Sequence, residues 1–298
     1  MTALRADSGG AGLLLPMAAL VAGGVCLGVA PVAVKALDLA PEVSAFYRVL
    51  LAAPVFALSA MLLPRPSPTN GGKGASVGLY TLAAFVFAAD LVVMHLAIRM
   101  TDVAVATLLT NCAPFFVGLM GLVGLADKPR RSFWLALPIA LAGATLLIGA
   151  NVSGGGSALG DALALLASAL YAGYLVCVRA LRERGASTVA IMASVTGASA
   201  LLLVPLFLAA GAPVPTDAET WALLAALVIV GQLVGQGLVV TALKDLPVSL
   251  GSLVLLLQPV SAAALSWAWL GEVLAPIQVV GIAVVLLAIA GASSRSGS

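Results

Sequence analysis

Three ionisable side chains lie inside apolar segments of the sequence, and they are the first candidates for chemistry. Arg48 falls within AFYRVLLAAP (45–54), and Asp90 and His95 fall within FAADLVVMHLAI (87–98). Ionisable groups are costly in a bilayer and are therefore usually functional. We expect Asp90 either to form an ion pair with Arg48 or to carry protons. His95 either lies at the membrane interface, or faces a cavity and binds a carboxylate or senses pH.

A second set of candidates consists of uncharged polar residues at mid-membrane depth. They either contact a substrate or form hydrogen bonds between helices, which are worth under about 1 kcal/mol each on average. Gln232 and Gln236 are four residues apart, so they share a helix face. The substrate-binding candidates, with His95, are Thr107, Thr110, Asn111, Tyr171, Tyr174, Gln232, Gln236 and Gln258.

The composition of the chain predicts the structural elements that hold these residues in place. The chain has 298 residues, of which 62% are hydrophobic and 9% charged, and its mean hydropathy is +1.17. Soluble domains carry about 25% charged residues, and apolar runs of 18 or more residues can cross a bilayer. The sequence therefore predicts an all-α polytopic membrane protein. The ten predicted spans are 12–37, 42–63, 75–98, 103–125, 132–150, 159–181, 187–210, 219–243, 247–270 and 273–292.

Several classes of partner are disfavoured by the same composition. A net charge of +2 gives no reason to expect nucleic acid. The phosphate-binding pattern GxxxxGK[ST] does not occur, and the three cysteines have no ligand-like spacing. We therefore predict neither a cofactor nor a metal. The expected partners are a small-molecule substrate and the lipid bilayer, with the chain a monomer or a weak homo-oligomer.

The distribution of basic residues predicts the orientation in the membrane, since cytoplasmic loops are enriched in Lys and Arg. If the N-terminus is cytoplasmic, only Lys35 and Arg99 lie on the outer side of the membrane, and Arg48 lies within a span. The other basic residues then lie inside, namely Arg5, Arg65, Lys73, Lys128, Arg130, Arg131, Arg179, Arg182, Arg184, Lys244 and Arg295. Both termini are predicted to be cytoplasmic, in the inner membrane of a bacterial cell.

The sequence contains an internal repeat. AIRMTDVAVATLLTNCAP (97–114) aligns without a gap with ALKDLPVSLGSLVLLLQP (242–259), and GVAPVAVKAL (28–37) aligns with AGYLVCVRAL (172–181). The chain therefore divides into a repeat at 1–150 and a second at 151–298. Because each contains five spans, an odd number, the second repeat enters the membrane from the opposite side, as in many secondary transporters.

Two prolines occupy matched positions in the repeat. Pro114 and Pro259 lie in the fourth and ninth spans, and each frees the carbonyl four residues earlier, at Thr110 and Leu255. Such breaks are tolerated where helices line a cavity. Each proline either forms a kink that serves packing or belongs to a gate. Their matched positions in the two repeats favour the gate.

These features together resemble the drug/metabolite transporter superfamily, in its ten-helix EamA-type branch. The resemblance rests on the ten spans, the paired A-[IL]-[RK]-x₁₄-P segments, the acidic residues Asp127 and Glu272 after each proline, and the segment 45–54. The segment 87–98 is similar to the aromatic amino-acid exporter group. The resemblance implies export of small organic solutes through a cavity lined by the first, third, fourth, sixth, eighth and ninth spans. Arg48 departs from the repeat, because Met192 or a neighbour takes its place in the second half.

We therefore expect a secondary transporter, and not an enzyme, that exports neutral or aromatic amino acids by alternating access. A multidrug or other metabolite exporter is the alternative in the same class. An intramembrane transferase using His95 and Asp90 is a remote alternative, since such enzymes usually gather several polar residues at one face. Asp90 leaves both proton coupling and facilitated diffusion open.

Overall fold

The computed structural model of the chain describes residues 9–63, 76–101, 103–148, 157–271 and 273–294. The regular elements in these ranges are all helical, and they include ten stretches that are long and apolar enough to cross a membrane. The fold is thus the predicted one: an all-α polytopic membrane protein built from two inverted five-helix repeats. The repeat boundary predicted at residues 150 and 151 lies outside the described residues.

In the described part of the chain six spans are single α-helices, three are interrupted, and one contains a π-helical segment. The single α-helices are Pro41–Leu62 (second span), Val77–Met100 (third), Arg131–Ile148 (fifth), Ala158–Glu183 (sixth), Thr188–Ala209 (seventh) and Pro276–Ser294 (tenth). The interrupted spans are Gly9–Leu27 with Val29–Ala36 (first), Val103–Thr110 with Ala113–Leu122 (fourth), and Val248–Val254 with Leu257–Leu270 (ninth). The eighth span runs without a gap through Ala218–Ala226, the π-helical segment Leu227–Gln236 and Gly237–Ala242.

Polar side chains cap the start of four spans. The side chains of Ser76, Ser157, Ser187 and Asp217 each accept a hydrogen bond from the backbone N–H three residues later. The first N–H groups of a helix have no partner within it, so a capping oxygen stabilises the helix by about 1 kcal/mol. The bond from Thr220 N–H also holds the pKa of the Asp217 carboxyl below its usual range. These caps define where the third, sixth, seventh and eighth spans begin.

The packing of the spans follows the symmetry of the repeat. The second span packs along the seventh and the fifth along the tenth, so each pairs with its own counterpart. The third span packs along the sixth, and the first along the eighth. Exchange of the two repeats converts the third–sixth pair into the eighth–first pair. The contact pattern therefore maps onto itself when the two repeats are exchanged.

The fifth and tenth spans cross at two glycines. A Cβ atom on Gly143 would lie 2.9 Å from the carbonyl oxygen of Gly281, and one on Gly281 would lie 2.7 Å from that of Gly143. Small residues let helix backbones approach closely in membranes, where packing drives association. The paired glycines therefore set the distance between the two repeats at this crossing.

We predict that Gly281→Ala destabilises the protein, because the added methyl group meets backbone atoms of the fifth span that cannot rotate away. Overpacking of this kind costs about 1–3 kcal/mol. The measurement is the melting temperature of the detergent-solubilised protein, followed by size-exclusion chromatography. Gly197→Ala is the matched control, since a Cβ there meets nothing within 4 Å. Equal melting temperatures for the two variants would contradict the prediction.

Candidate functional site

Six polar side chains from both repeats meet in the interior of the bundle. This central cluster consists of Arg48, Asp90, Tyr171, Tyr174, Gln232 and Gln236, from the second, third, sixth and eighth spans. Asp90 is 7% exposed, Tyr174 and Gln232 are 0% exposed and Gln236 is 1% exposed. Such a concentration of buried polar groups in an otherwise apolar bundle marks the candidate site.

A hydrogen bond between Arg48 and Gln232 joins the two repeats in this cluster. Arg48 Nε donates to Gln232 Oε1 at 2.7 Å. The amide nitrogen of Gln232 is buried and has no hydrogen-bond partner among the described residues. Because a buried polar group without a partner costs about 1–3 kcal/mol, its presence needs an explanation.

The eighth span presents its two glutamines from a π-helical segment, Leu227–Gln236. Segments of this kind are rare, and they are frequent at functional sites. Gln232 bonds to the second span, whereas Gln236 Nε2 donates to Tyr174 Oη of the sixth span at 3.1 Å. The segment therefore directs the two amides, which the sequence placed on one face, to different neighbours.

Aromatic rings form one side of the cluster. The ring centroid of Tyr174 lies 4.7 Å from that of Phe87 on the third span and 5.8 Å from that of Tyr171. The Tyr174 hydroxyl also contacts the sulfur of Met192 at 3.9 Å. The repeat places Met192 or a neighbour opposite Arg48, and the seventh span carries no charged residue, so the second repeat supplies no cation at this position. Only the fold shows that Met192 reaches this cluster.

Asp90 and Arg48 interact electrostatically across the cluster. No nitrogen–oxygen distance of 4 Å or less joins them among the ion pairs of the described residues. Arg48 uses Nε to bind Gln232 instead. The role of the two charges, as an ion pair or in proton coupling, stays a prediction.

The candidate residues of the fourth span hydrogen-bond mainly to their own helix. Asn111 Nδ2 and Thr110 Oγ1 both donate to the carbonyl oxygen of Thr107, at 2.7 and 2.9 Å. The helix is interrupted here, between Thr110 and Ala113, and Pro114 is the second residue of the next segment. The ninth span is interrupted in the same way just before Pro259. Proline lacks the N–H that a continuous helix needs, which accounts for the paired breaks.

Two further candidates lie apart from these contacts. Gln258 lies on the ninth span against the first, and its carbonyl oxygen would be 3.0 Å from a Cβ atom on Gly28. His95 belongs to the third span, but its side chain lies outside the part of the protein that the structure describes.

A second polar cluster lies at one membrane face, and we call it the Arg179 cluster. Arg179 Nη1 donates to the carbonyl oxygens of Leu243 at 3.0 Å and Lys244 at 2.5 Å. Its other contacts are Glu183, at 2.9 Å, and Asp127, at 3.4 Å. Asp127 Oδ2 also accepts from Val248 N–H at 3.3 Å. The carboxylate of Asp127, in the first repeat, is therefore held by two spans of the second.

The sequence signal for this cluster is its place in the repeat. Arg179 aligns with Lys35, and Asp127 aligns with Glu272. The repeat therefore predicts basic and acidic residues at matched positions of the two halves. The Lys35 side chain and Glu272 lie outside the described residues. A cavity of about 240 Å³ adjoins the cluster and is lined in part by Asp127, Arg179 and Glu183.

Comparison with known proteins agrees with this architecture. The chain is 29% identical over 227 residues to the uncharacterized transporter YwfM of Bacillus subtilis (strain 168), covering 70% of this chain and 71% of YwfM. A solved crystal structure has the same fold, with a TM-score of 0.77 and 17% identity, over 97% of this chain and 98% of the other. The model of the EamA-like transporter family matches residues 14–149 and again 158–294. With both five-helix repeats matched, the chain belongs to the EamA-like transporter family and is a transmembrane transporter.

Proposed function

We propose that this transporter exports amino acids, chiefly neutral and aromatic ones, by alternating access. The observation that carries the proposal is the central cluster, in which both repeats place one cation, one anion, two amides and aromatic rings around one point. Transporters with inverted repeats bind substrate between the repeats. Such a site suits a zwitterion with an apolar side chain.

The charge balance of the cluster weighs against polyanionic substrates. A nucleotide sugar or a phosphate ester needs several Arg or Lys donors, whereas Arg48 is the one cation among the six residues of the central cluster. The resemblance of segment 87–98 to aromatic amino-acid exporters supports the same substrate class. A multidrug or other metabolite exporter remains the second candidate, favoured by the apolar rings alone. The transferase alternative loses support, because the family is one of transporters.

We propose further that the Arg179 cluster lies on the cytoplasmic face and closes it. The loops on that face include Lys128, Arg130 and Arg131, as the enrichment of basic residues in cytoplasmic loops requires. Opening toward the cytoplasm separates the repeats there and breaks the contacts of Asp127. The protein acts in the bacterial inner membrane on a small-molecule substrate, as a monomer or weak homo-oligomer, with both termini in the cytoplasm.

Transport in proteoliposomes tests the substrate class. We expect saturable uptake of radiolabelled phenylalanine, leucine and threonine, and weaker uptake of glutamate. Flux that persists without a pH gradient identifies facilitated diffusion, and flux that requires the gradient assigns proton coupling to Asp90 or His95. Phe87→Leu, which removes a ring 4.7 Å from Tyr174, should raise the KM for phenylalanine several-fold. Phe115→Leu is the control, since Phe115 is 41% exposed on the fourth span. Absence of flux for all four amino acids would refute the assignment.

Reporter fusions test the orientation. A green fluorescent protein attached after Ser298 should fluoresce, and alkaline phosphatase attached there should be inactive, because the first folds in the cytoplasm and the second in the periplasm. Fusions after Ala212, in the loop that precedes the eighth span, should give the reverse pattern. The same pattern at both sites would contradict the proposed topology.

Hydrogen exchange tests the contact that closes the cytoplasmic face. Asp127→Ala removes the acceptor of the Val248 N–H, so exchange at Val248 should become several-fold faster, because exchange reports local opening. Asp245→Ala is the matched control, an exposed carboxylate in the neighbouring loop. Unchanged exchange at Val248 in Asp127→Ala would show that the carboxylate does not hold the ninth span.

A further inference from the structure

Arg48 has unused hydrogen-bonding capacity in the middle of the bundle. Its guanidinium carries five N–H groups in a planar fork, and the structure accounts for the one on Nε, which binds Gln232. The terminal nitrogens Nη1 and Nη2 have no hydrogen-bond partner among the described residues. Arg48 is only half-buried, so part of its surface is open to a solute.

A cation in this position requires a partner of opposite charge. A buried or half-buried charge is stabilised only when it is paired and hydrogen-bonded. Asp90 interacts with Arg48 through space, but the ion pairs of 4 Å or less among the described residues do not include these two. The second unpaired donor of the cluster, the amide nitrogen of Gln232, belongs to the residue that holds the Arg48 side chain.

We infer that Arg48 binds the carboxylate of the transported solute and that Gln232 is the residue that positions Arg48 for this contact. The inference rests on the proposed function and specifies the substrate class more narrowly. The bond to Nε fixes the plane of the guanidinium and leaves the Nη1–Nη2 edge for a two-point contact with a carboxylate. Arginine suits this role better than lysine, since its fork matches the two carboxylate oxygens.

Asp90 completes the recognition of an α-amino acid. An α-amino acid carries its carboxylate and its ammonium on one carbon atom, so a solute held by Arg48 places its ammonium close by. The Asp90 carboxylate, buried and without a contacting cation among the described residues, is the acceptor of matching charge. The side chain of the solute then faces the rings of Phe87, Tyr171 and Tyr174.

The asymmetry between the repeats limits the site to one carboxylate. The seventh span, which is the counterpart of the second, carries no charged residue, and the sulfur of its Met192 contacts the Tyr174 hydroxyl. A second carboxylate on the solute, as in glutamate, would meet an apolar group or a tyrosine. The geometry thus selects monocarboxylic amino acids over dicarboxylic ones.

Three ligands with the same phenyl group separate these contributions. L-Phenylalanine has both charges, 3-phenylpropionate has only the carboxylate, and phenethylamine has only the ammonium. Each competes against radiolabelled phenylalanine for the purified full chain in nanodiscs. Arg48→Gln should lower the affinity for phenylalanine and for 3-phenylpropionate roughly tenfold or more, about 1.4 kcal/mol or more, because the two-point contact with the carboxylate is lost. Its affinity for phenethylamine should not fall.

Two further variants distinguish a binding role from a structural one. Gln232→Glu leaves Arg48 in place but supplies a competing carboxylate. It should therefore also lower the affinity for 3-phenylpropionate and leave the affinity for phenethylamine unchanged. Asp90→Asn should show the opposite selectivity, with loss for phenethylamine and retention of 3-phenylpropionate. Arg131→Gln, which removes an exposed cation at the start of the fifth span, is the control and should change none of the three.

The outcomes separate this inference from the proposed function. If phenylalanine is transported but Arg48→Gln and Gln232→Glu bind 3-phenylpropionate as the unsubstituted chain does, the inference is wrong and the amino-acid assignment stands. If Arg48→Gln fails to fold, the selectivity of Gln232→Glu decides the question. If the unsubstituted chain neither transports nor binds phenylalanine and binds phenethylamine instead, both the inference and the proposed function fail.

Discussion

Hydrocarbon cannot hydrogen-bond, and this constraint governs the whole molecule. Each polar group in a span must find its partner within the protein. Hydroxyl and carboxylate caps satisfy the helix starts at Ser76, Ser157, Ser187 and Asp217. Asn111 satisfies its own helix where the fourth span breaks. Arg48 reaches across the bundle to Gln232. The few side chains that keep unpaired donors stand out against this background.

The duplicated architecture is symmetric in its framework and asymmetric in its site. The paired breaks before Pro114 and Pro259, and the packing of the second span on the seventh and the fifth on the tenth, follow the two-fold relation. The central cluster does not, because Arg48 has no cationic counterpart on the seventh span. A site near the axis of two inverted repeats receives both members of each pair. Loss of one charge therefore converts a symmetric framework into a site with a cationic and an apolar side.

The two polar clusters connect binding to the relative position of the repeats. Arg48 and Gln232 belong to different repeats, so their hydrogen bond at the centre of the bundle depends on the relative position of the repeats. The hydrogen bond between Asp127 and Val248 depends on it in the same way at the membrane face. A ligand shifts a conformational equilibrium only through contacts that differ between the states. A solute bound to Arg48 therefore contacts a residue whose hydrogen-bond partner, Gln232, belongs to the other repeat and moves with it.

The sequence determined the fold and its symmetry, because both depend on patterns that are local along the chain. Long apolar runs define the ten spans, and the matched positions of Pro114 and Pro259 reveal the repeat and the helix breaks. The sequence also identified Arg48, Asp90, Tyr174 and the glutamines as polar residues at membrane depth. It could not say which of them meet, because rotation of each span about its axis depends on packing against other spans.

Tertiary structure decided the partners. Arg48 bonds to Gln232, 184 residues away, because the π-helical segment Leu227–Gln236 turns that amide toward the second span. Apolar periodicity gives no sign of such a segment, since apolar residues surround both glutamines along the chain. The contacts of Arg179 with Asp127 and the 243–244 carbonyls were likewise settled by the folding of one repeat onto the other. The sequence determines the residue types and their depth in the membrane. Which polar groups contact each other depends on how the two repeats pack.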